Sequence, residues 1–348
     1  MSDNQKQWRP LELIKVTAQY LAQKQIAPAR LDAEVLLAAI LQCSRIELYA
    51  KSEQVLTPEQ VNAYREFVRR RVNHEPVSRI LGKKEFMGMD FTVTPAVLSP
   101  RPETEILVET VLKILDPAPK KKKSAAVFTA LDQKMREFIV KQTAAERGET
   151  IPAELAAMLD AEPVAPAEAA PVNPDLPEHP RILDLGTGSG CIAVSLARMC
   201  PRTAVTAVDV SPEALTVARE NAGRLAAGRI EFIESDWFAA LPPDALYDII
   251  VSNPPYIENK EGNLEPEVRN FDPATALFAG ADGLDAYRKI LASAGRFLQP
   301  GGWLLFETGQ GQTPAVKEMI LEKFPAASVE ISADHAGIDR VVCAKTAR

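Results

Sequence analysis

From Pro180 onward, short β-prone runs and helical runs take turns: RILDLG, CIAVSLARM, AVTAVDV, PEALTVARENAGRLA, RIEFIESD, YDIIVS and, later, GGWLLFET. Few folds accept that order. Adjacent parallel strands need a crossover between them, and right-handed helical crossovers place helices on both faces of the sheet. The expected fold class is α/β, a doubly wound, mostly parallel sheet over residues 181–348. Ligands of such sheets collect beyond the carboxyl ends of the strands, near the point where strand order reverses. Each chemistry-bearing motif below falls at such an end.

The 348 residues exceed one typical domain and leave room for a second core. Between Leu11 and Arg71 apolar residues recur at three-to-four spacing, as in Leu31, Val35, Leu36, Ala39 and Ile40. Thr57-Pro58-Glu59-Gln60 has the form of an N-cap with proline in the first turn. Residues 1–75 are therefore expected to form a small all-helical domain. A β-prone stretch with Phe86, Phe91, Val93 and Val97 then leads through SPRPETE into a helix near Ile106 to Leu115, so residues 76–115 read as a connector of hairpin and helix. From 116 to 180 the composition shifts to a lysine run at Lys120 to Lys123, a short helical-looking piece and an Ala/Pro/Glu tract. Such a tract builds no core, and the segment reads as a low-complexity insertion, partly helical or disordered.

The first strand of the α/β half runs into Gly186-Thr187-Gly188-Ser189-Gly190, where glycine lets the backbone turn tightly and approach a ligand. A dinucleotide fingerprint would carry its third glycine at position 191, which is Cys191, and no Gly-Lys-Ser/Thr follows to make a phosphate loop. The second strand ends in Asp209, where a carboxylate can accept both hydroxyls of a ribose. The third delivers Ser235-Asp236-Trp237, a carboxylate and an indole for the edge and face of a purine. For Trp237 a second role, covering the core beside Phe238, stays open. Two acids, with no base in the glycine turn, suit a cationic sulfonium better than an anionic pyrophosphate.

The fourth strand brings Asn253-Pro254-Pro255-Tyr256 to the same edge. Two prolines remove two N–H donors and leave carbonyls free to accept. A planar amide or aromatic amine is a poor nucleophile because its lone pair is delocalised. Accepting its hydrogens on the Asn253 side-chain oxygen and the Pro254 carbonyl would hold the nitrogen near tetrahedral geometry, lone pair aimed at a methyl donor. Tyr256 would pack against the planar group.

These motifs together resemble a known family. The class I methyltransferases with an NPPY strip, and within them the release-factor glutamine N5-methyltransferases (the PrmC/HemK family), share RLDAEVLLAAILQCSRIELY, ILGKKEFMGMDF, SPRPETE, ILDLGTGSGCIAVSLA, AVDVSPEAL, SDWF, SNPPYI, ADGLDAYRKIL and HAGIDRVV. NPPY alone also occurs in adenine and guanine amino-methyltransferases; SPRPETE and the helical N-terminus point to the glutamine enzymes. The resemblance implies a seven-stranded methyltransferase sheet, S-adenosyl-L-methionine as cofactor, and methyl transfer to the glutamine of Gly-Gly-Gln in peptide chain release factors, the protein partners. Carried over by motif, Gly186, Thr187, Gly188, Ser189, Gly190, Asp209, Asp236, Trp237 and Asn253 are cofactor residues. Asn253, Pro254 and Tyr256 become the catalytic strip, and with Pro255 the substrate site. The stretch from Leu115 to Arg181 is longer than the family's link. A glutamine enzyme acting on a ribosomal protein shares every one of these motifs, and an adenine-N6 methyltransferase or a binding module without activity are the further alternatives.

Charge and cysteine usage narrow the classes. A net charge of -7 opposes the broad cationic surface that nucleic-acid binding draws on. Cys43, Cys191, Cys200 and Cys343 form no CxxC pair and lie in apolar runs, which predicts small buried hydrophobes, no disulfide framework and no metal site. The polar start MSDNQKQWRP and the lack of about 18 uninterrupted apolar residues predict a cytoplasmic protein with no membrane contact.

Overall fold

The computed structural model describes residues 7–116, 173–225, 227–260 and 264–348. The helical region comprises α1 (Pro10–Gln23), α2 (Ala29–Ile40), α3 (Arg45–Ala50), α4 (Pro58–Val72) and the short α5 (Val77–Leu81). Local chemistry sets two of the starts. Ser44 and Thr57 each close a capping box, accepting from the backbone N–H of Glu47 and Gln60 while those side chains return to the cap's own N–H. The apolar faces meet in a core that includes Leu13, Ile14, Leu36, Leu37, Leu48, Val61 and Tyr64. Tyr64 satisfies its buried hydroxyl by donating to the Ala33 carbonyl at 3.0 Å.

The connector is the hairpin β1 (Lys83–Phe86) and β2 (Met89–Thr92), followed by α6 (Pro102–Leu115). This helix begins four residues before the start expected near Ile106, at the proline of SPRPETE. Proline lacks only an N–H that the first turn leaves unused, and Glu103 and Glu105 sit well at the positive helix end. Of the expected insertion, residues 117–172 lie outside the described residues. Its last residues are described: Asn173 donates to the Ile114 carbonyl at 2.8 Å, and Arg202 to the carbonyls of Pro177 and Glu178.

Along the rest of the chain run β3 (Arg181–Leu185), α7 (Cys191–Met199), β4 (Ala204–Asp209), α8 (Pro212–Arg224), β5 (Ile230–Glu234), β6 (Tyr247–Ser252), α9 (Pro266–Phe271), α10 (Asp285–Phe297), β7 (Leu298–Glu307), α11 (Thr313–Lys323), β8 (Ser328–Ala333) and β9 (Asp339–Lys345). Among the described residues the sheet has seven strands in the order β5-β4-β3-β6-β7-β9-β8. The first five pair in parallel, and only β9 runs against its neighbours. Leu183, Leu185, Ile250, Leu304 and Phe306 of the sheet pack with Tyr287, Ile290 and Leu291 of α10 into the main core. Cys191 and Cys343 are buried as expected, whereas Cys43 and Cys200 are half-buried.

The described residues of Met1–Leu112 and Pro177–Arg348 form one compact unit, and those of Lys113–Leu176 a second. Inside the first unit the helical region is joined to the sheet region by charge. Arg71, buried, reaches Asp32 at 2.7 Å and Glu267 at 3.0 Å. Asp272, with a side chain only 2% exposed, takes Arg79 on one oxygen at 2.9 Å and Arg101 on the other at 2.7 Å. A buried carboxylate held by two guanidinium groups keeps its charge satisfied, and removing either partner would strand it. Among the described residues no helix is long and apolar enough to cross a membrane.

Candidate active site

Register brings the motifs level. Leu185 pairs with Val208 and Ser252, and Ser252 with Phe306, so Gly186, Asp209, Asn253 and Glu307 line up along one sheet edge. That edge lies where the strand order reverses, between β3 and β6. A pocket of about 390 Å³ opens there, lined by Gly186, Thr187, Gly188, Ser189, Asp209, Asp236, Trp237, Asn253 and Pro255. Its size is that of a small-molecule site.

The glycine turn is a built structure. Asp184, fully buried in β3, accepts from the Thr187 hydroxyl at 2.6 Å and from the Ala193 N–H at 3.2 Å, tying strand, turn and α7 together. Burial pushes this carboxyl up to about 7, against the pull of those two hydrogen bonds. Asp209 accepts from the Gly188 N–H at 2.8 Å and the Ser211 N–H at 3.0 Å, so it shapes the turn as well as facing the pocket. Gly188 has φ +53, and a Cβ there would meet no atom within 4 Å; it would project into open space beside the pocket. Gly190 has another job. It does not line the pocket, and a Cβ on it would stand 3.1 Å from the Ala218 Cβ, so its bareness serves the packing of α7 against α8.

Trp237 does both things that its sequence allows: it lines the pocket and packs against the main core. Its φ of 53 is unusual for an aromatic residue; the Ser235 hydroxyl steadies the turn by donating to the Trp237 carbonyl at 2.9 Å.

In the strip, Asn253 and Pro255 line the pocket; Pro254 and Tyr256 are not among its lining residues. Pro254 is buried. Tyr256 is held by Gln312, which donates to its carbonyl at 2.9 Å, and by Gly283 and Gly309, where any Cβ would collide with it. Burial pushes the Tyr256 hydroxyl up to about 12. The strip leaves the sheet edge under the control of residues 277–280, since Ile257 donates to Leu277 and Ala279 to Ile257, both at 2.8 Å. Asn253 donates from Nδ2 to the Thr104 hydroxyl at 3.1 Å. That assigns its amide orientation and leaves Oδ1 as its atom available to a ligand.

Several pocket residues carried no legible signal. Ser99, Pro100, Arg101 and Thr104 come from the connector and Phe278, Ala279 and Lys289 from beyond the strip. In the sequence SPRPETE reads as the lead into the connector helix and as a family mark; its proline-flanked arginine and its threonine also line the pocket. Asn221 was missed outright: fully buried in α8, it donates to the Ser189 carbonyl at 2.9 Å and pairs with the Thr92 backbone, joining the hairpin to the glycine turn.

A doubly wound sheet in this order, with a glycine turn, a pocket-lining acid and an Asn-Pro-Pro-Tyr strip at its carboxyl edge, is a class I methyltransferase architecture. Residues 12–82 match the PrmC N-terminal domain and residues 173–277 the methyltransferase small domain. The release factor glutamine methyltransferase of Geobacter sulfurreducens is 36% identical over 343 residues, covering 98% of each chain. That of Chlorobaculum tepidum is 34% identical over 341 residues, covering 97% of each. A solved protein-(glutamine-N5) methyltransferase, release factor-specific, from Alicyclobacillus acidocaldarius aligns at 25% identity with 74% of this chain and 100% of its own, at a TM-score of 0.35. That overlay is loose, and the assignment rests on the sequence relatives. The chain belongs to the release factor glutamine methyltransferase family.

Proposed function

We propose that the pocket holds S-adenosyl-L-methionine and that Asn253-Pro254-Pro255-Tyr256 presents the side-chain amide of a glutamine, that of Gly-Gly-Gln in a peptide chain release factor, for methylation at N5. The observation that carries the reading is the fixed carboxamide of Asn253, its Nδ2 engaged by Thr104 and its Oδ1 left to the pocket.

The residues fit the cofactor. Gly188 leaves room for an approaching ligand, Asp209 can accept ribose hydroxyls, and Asp236 and Trp237 offer an acceptor and an aromatic face to a purine. Arg101, itself paired with Asp272, and Lys289 add cations to the lining, so the pocket carries both signs and suits a zwitterionic amino-acid end. When bound, S-adenosyl-L-methionine supplies an electrophilic methyl on a cationic sulfur. The chain supplies geometry: Asn253 Oδ1 and the Pro254 carbonyl accept the two amide hydrogens, and Tyr256, anchored from behind, braces the strip. Holding the nitrogen in attack geometry lowers the barrier by positioning, and the proton the nitrogen must give up, strongly acidic once the nitrogen is methylated, passes to water from the hydrogen that these acceptors hold.

The test incubates the protein with S-adenosyl-L-methionine and a Gly-Gly-Gln release factor and maps the methyl by tandem mass spectrometry. Methylation confined to that glutamine is expected. A well-folded protein that binds the cofactor and leaves the glutamine unmodified would overturn the proposal.

A further inference from the structure

Glu307 ends β7 beside the strip, is 2% exposed, and its Oε2 has no hydrogen-bond partner. Nothing in the methyl transfer as described uses it. Because Ser252 pairs with Phe306, Glu307 and Asn253 are neighbours across the β6–β7 ladder. Asn253 Nδ2 donates to the Thr104 hydroxyl at 3.1 Å, and both side chains stand near enough to the Glu307 carboxyl to favour its ionised form. Thr104 is itself 2% exposed.

The direction of these bonds matters. A hydroxyl can donate or accept, so Thr104 alone would tolerate either face of a carboxamide. An ionised carboxylate can only accept. With Glu307 ionised, Thr104 turns its hydrogen toward it and offers a lone pair to Asn253, and the amide NH2 must face inward. Turned the other way, Asn253 would set an N–H donor against the N–H donors of the substrate amide, and the acceptor geometry would be lost.

We propose that Glu307 is a positioning residue which, directly and through Thr104, locks the Asn253 carboxamide with Oδ1 toward the substrate nitrogen. The inference rests on the reaction proposed above. It adds a dependence on protonation, since a protonated Glu307 can donate and no longer dictates the direction. Around the carboxyl stand Glu103 of α6, Arg340 of β9, Tyr256 of the strip, Tyr287 of α10 and Cys191 of α7. Burial pushes Glu307 up to about 7; Thr104, Arg340 and Asn253 oppose the shift and Glu103 adds to it. The active form is the ionised one, so activity rises with pH through about 7 and then levels.

Single-turnover methyl transfer is measured against pH for wild type, Glu307→Gln, Thr104→Ser, Thr104→Val, Asn253→Ala and the Asn253→Ala/Glu307→Gln double variant. Glu307→Gln should lower the rate by about 10- to 100-fold, the range seen when a supporting partner is removed from behind a functional side chain. Its cofactor affinity should hold and its acid limb near neutrality should vanish. Thr104→Ser should keep the wild-type rate and Thr104→Val should lose it, which decides the matter even if Glu307→Gln folds poorly. Added to Asn253→Ala, Glu307→Gln should cost nothing further, because it acts through the residue already removed. A second readout needs no turnover: the Asn253 side-chain NH2 proton signals should exchange slowly in wild type and fast in Glu307→Gln. An active wild type matched in rate and pH limb by Glu307→Gln sinks the inference, as does unchanged NH2 exchange. A wild type that transfers no methyl counts against the proposed reaction instead, and the NH2 exchange still judges Glu307.

Discussion

The proposed reaction concentrates its chemistry in one side chain, Asn253, and so separates binding from reaction. On that proposal most polar contacts to the cofactor come from the glycine turn, Asp209, Asp236 and Trp237, all of which line the pocket, whereas Asn253 would present one positioned acceptor to the reacting nitrogen. Asn253→Ala should therefore lower turnover by about 100- to 1,000-fold, the loss typical when one preorganised polar group is removed from a transition state. Cofactor affinity by calorimetry and the melting temperature should stay near wild type. Turnover within threefold of wild type would remove the strip from the chemistry. Reading Asn253 required only its strand-end place and the two prolines after it. Its partner Thr104 lies 149 residues away in the chain, a contact that no local pattern announces.

At the scale of elements, the glycine turn shows how one motif divides its labour. Gly188 and Gly190 both have positive φ, but the first opens on free space and the second abuts Ala218 of α8. Gly190→Ala should destabilise the fold by about 2 to 4 kcal/mol, joining the left-handed backbone strain of a non-glycine residue to overpacking between two helices. Chemical denaturation measures that directly. Gly188→Ala should cost about 1 to 2 kcal/mol of stability from strain alone and weaken cofactor binding, which calorimetry resolves. If the two variants lost stability equally, the packing role of Gly190 would be wrong. A sequence pattern of three glycines fixes the turn and is silent on which glycine answers to which neighbour, because α8 arrives from a later crossover.

For the whole molecule, the pocket residues named above all belong to Met1–Leu112 and Pro177–Arg348. Removing residues 120–170 behind a short flexible linker should leave cofactor affinity intact, since the entropy of closing a chain between two fixed ends changes by only about 0.6 kcal/mol per doubling of its length. The cut stops before Asn173, whose bond to the Ile114 carbonyl anchors the far side. Calorimetry and release-factor methylation are compared in parallel. Lost methylation with cofactor binding preserved would make the segment a docking arm for the protein substrate, and lost cofactor binding would make it part of the site.

Residues 181–348 declare their sheet because strand and helix periods are local properties, set by the spacing of apolar side chains along a few turns of chain. The ligand edge follows from topology: once the strands are parallel, Gly186, Asp209, Asp236 and Asn253 must gather at their carboxyl ends. Even the cap at Thr57 depends on three consecutive neighbours. The sequence does not say that Thr104 and Glu307 lie against Asn253, that Asn221 ties a hairpin to the glycine turn, or that Asp272 bridges Arg79 and Arg101. Most of them join distant segments: 149 residues separate Asn253 and Thr104, 129 separate Asn221 and Thr92, and 193 and 171 separate Asp272 from its two arginines. They exist only once the sheet and helices have packed, when buried polar groups must find whichever partners the tertiary fold has brought within reach.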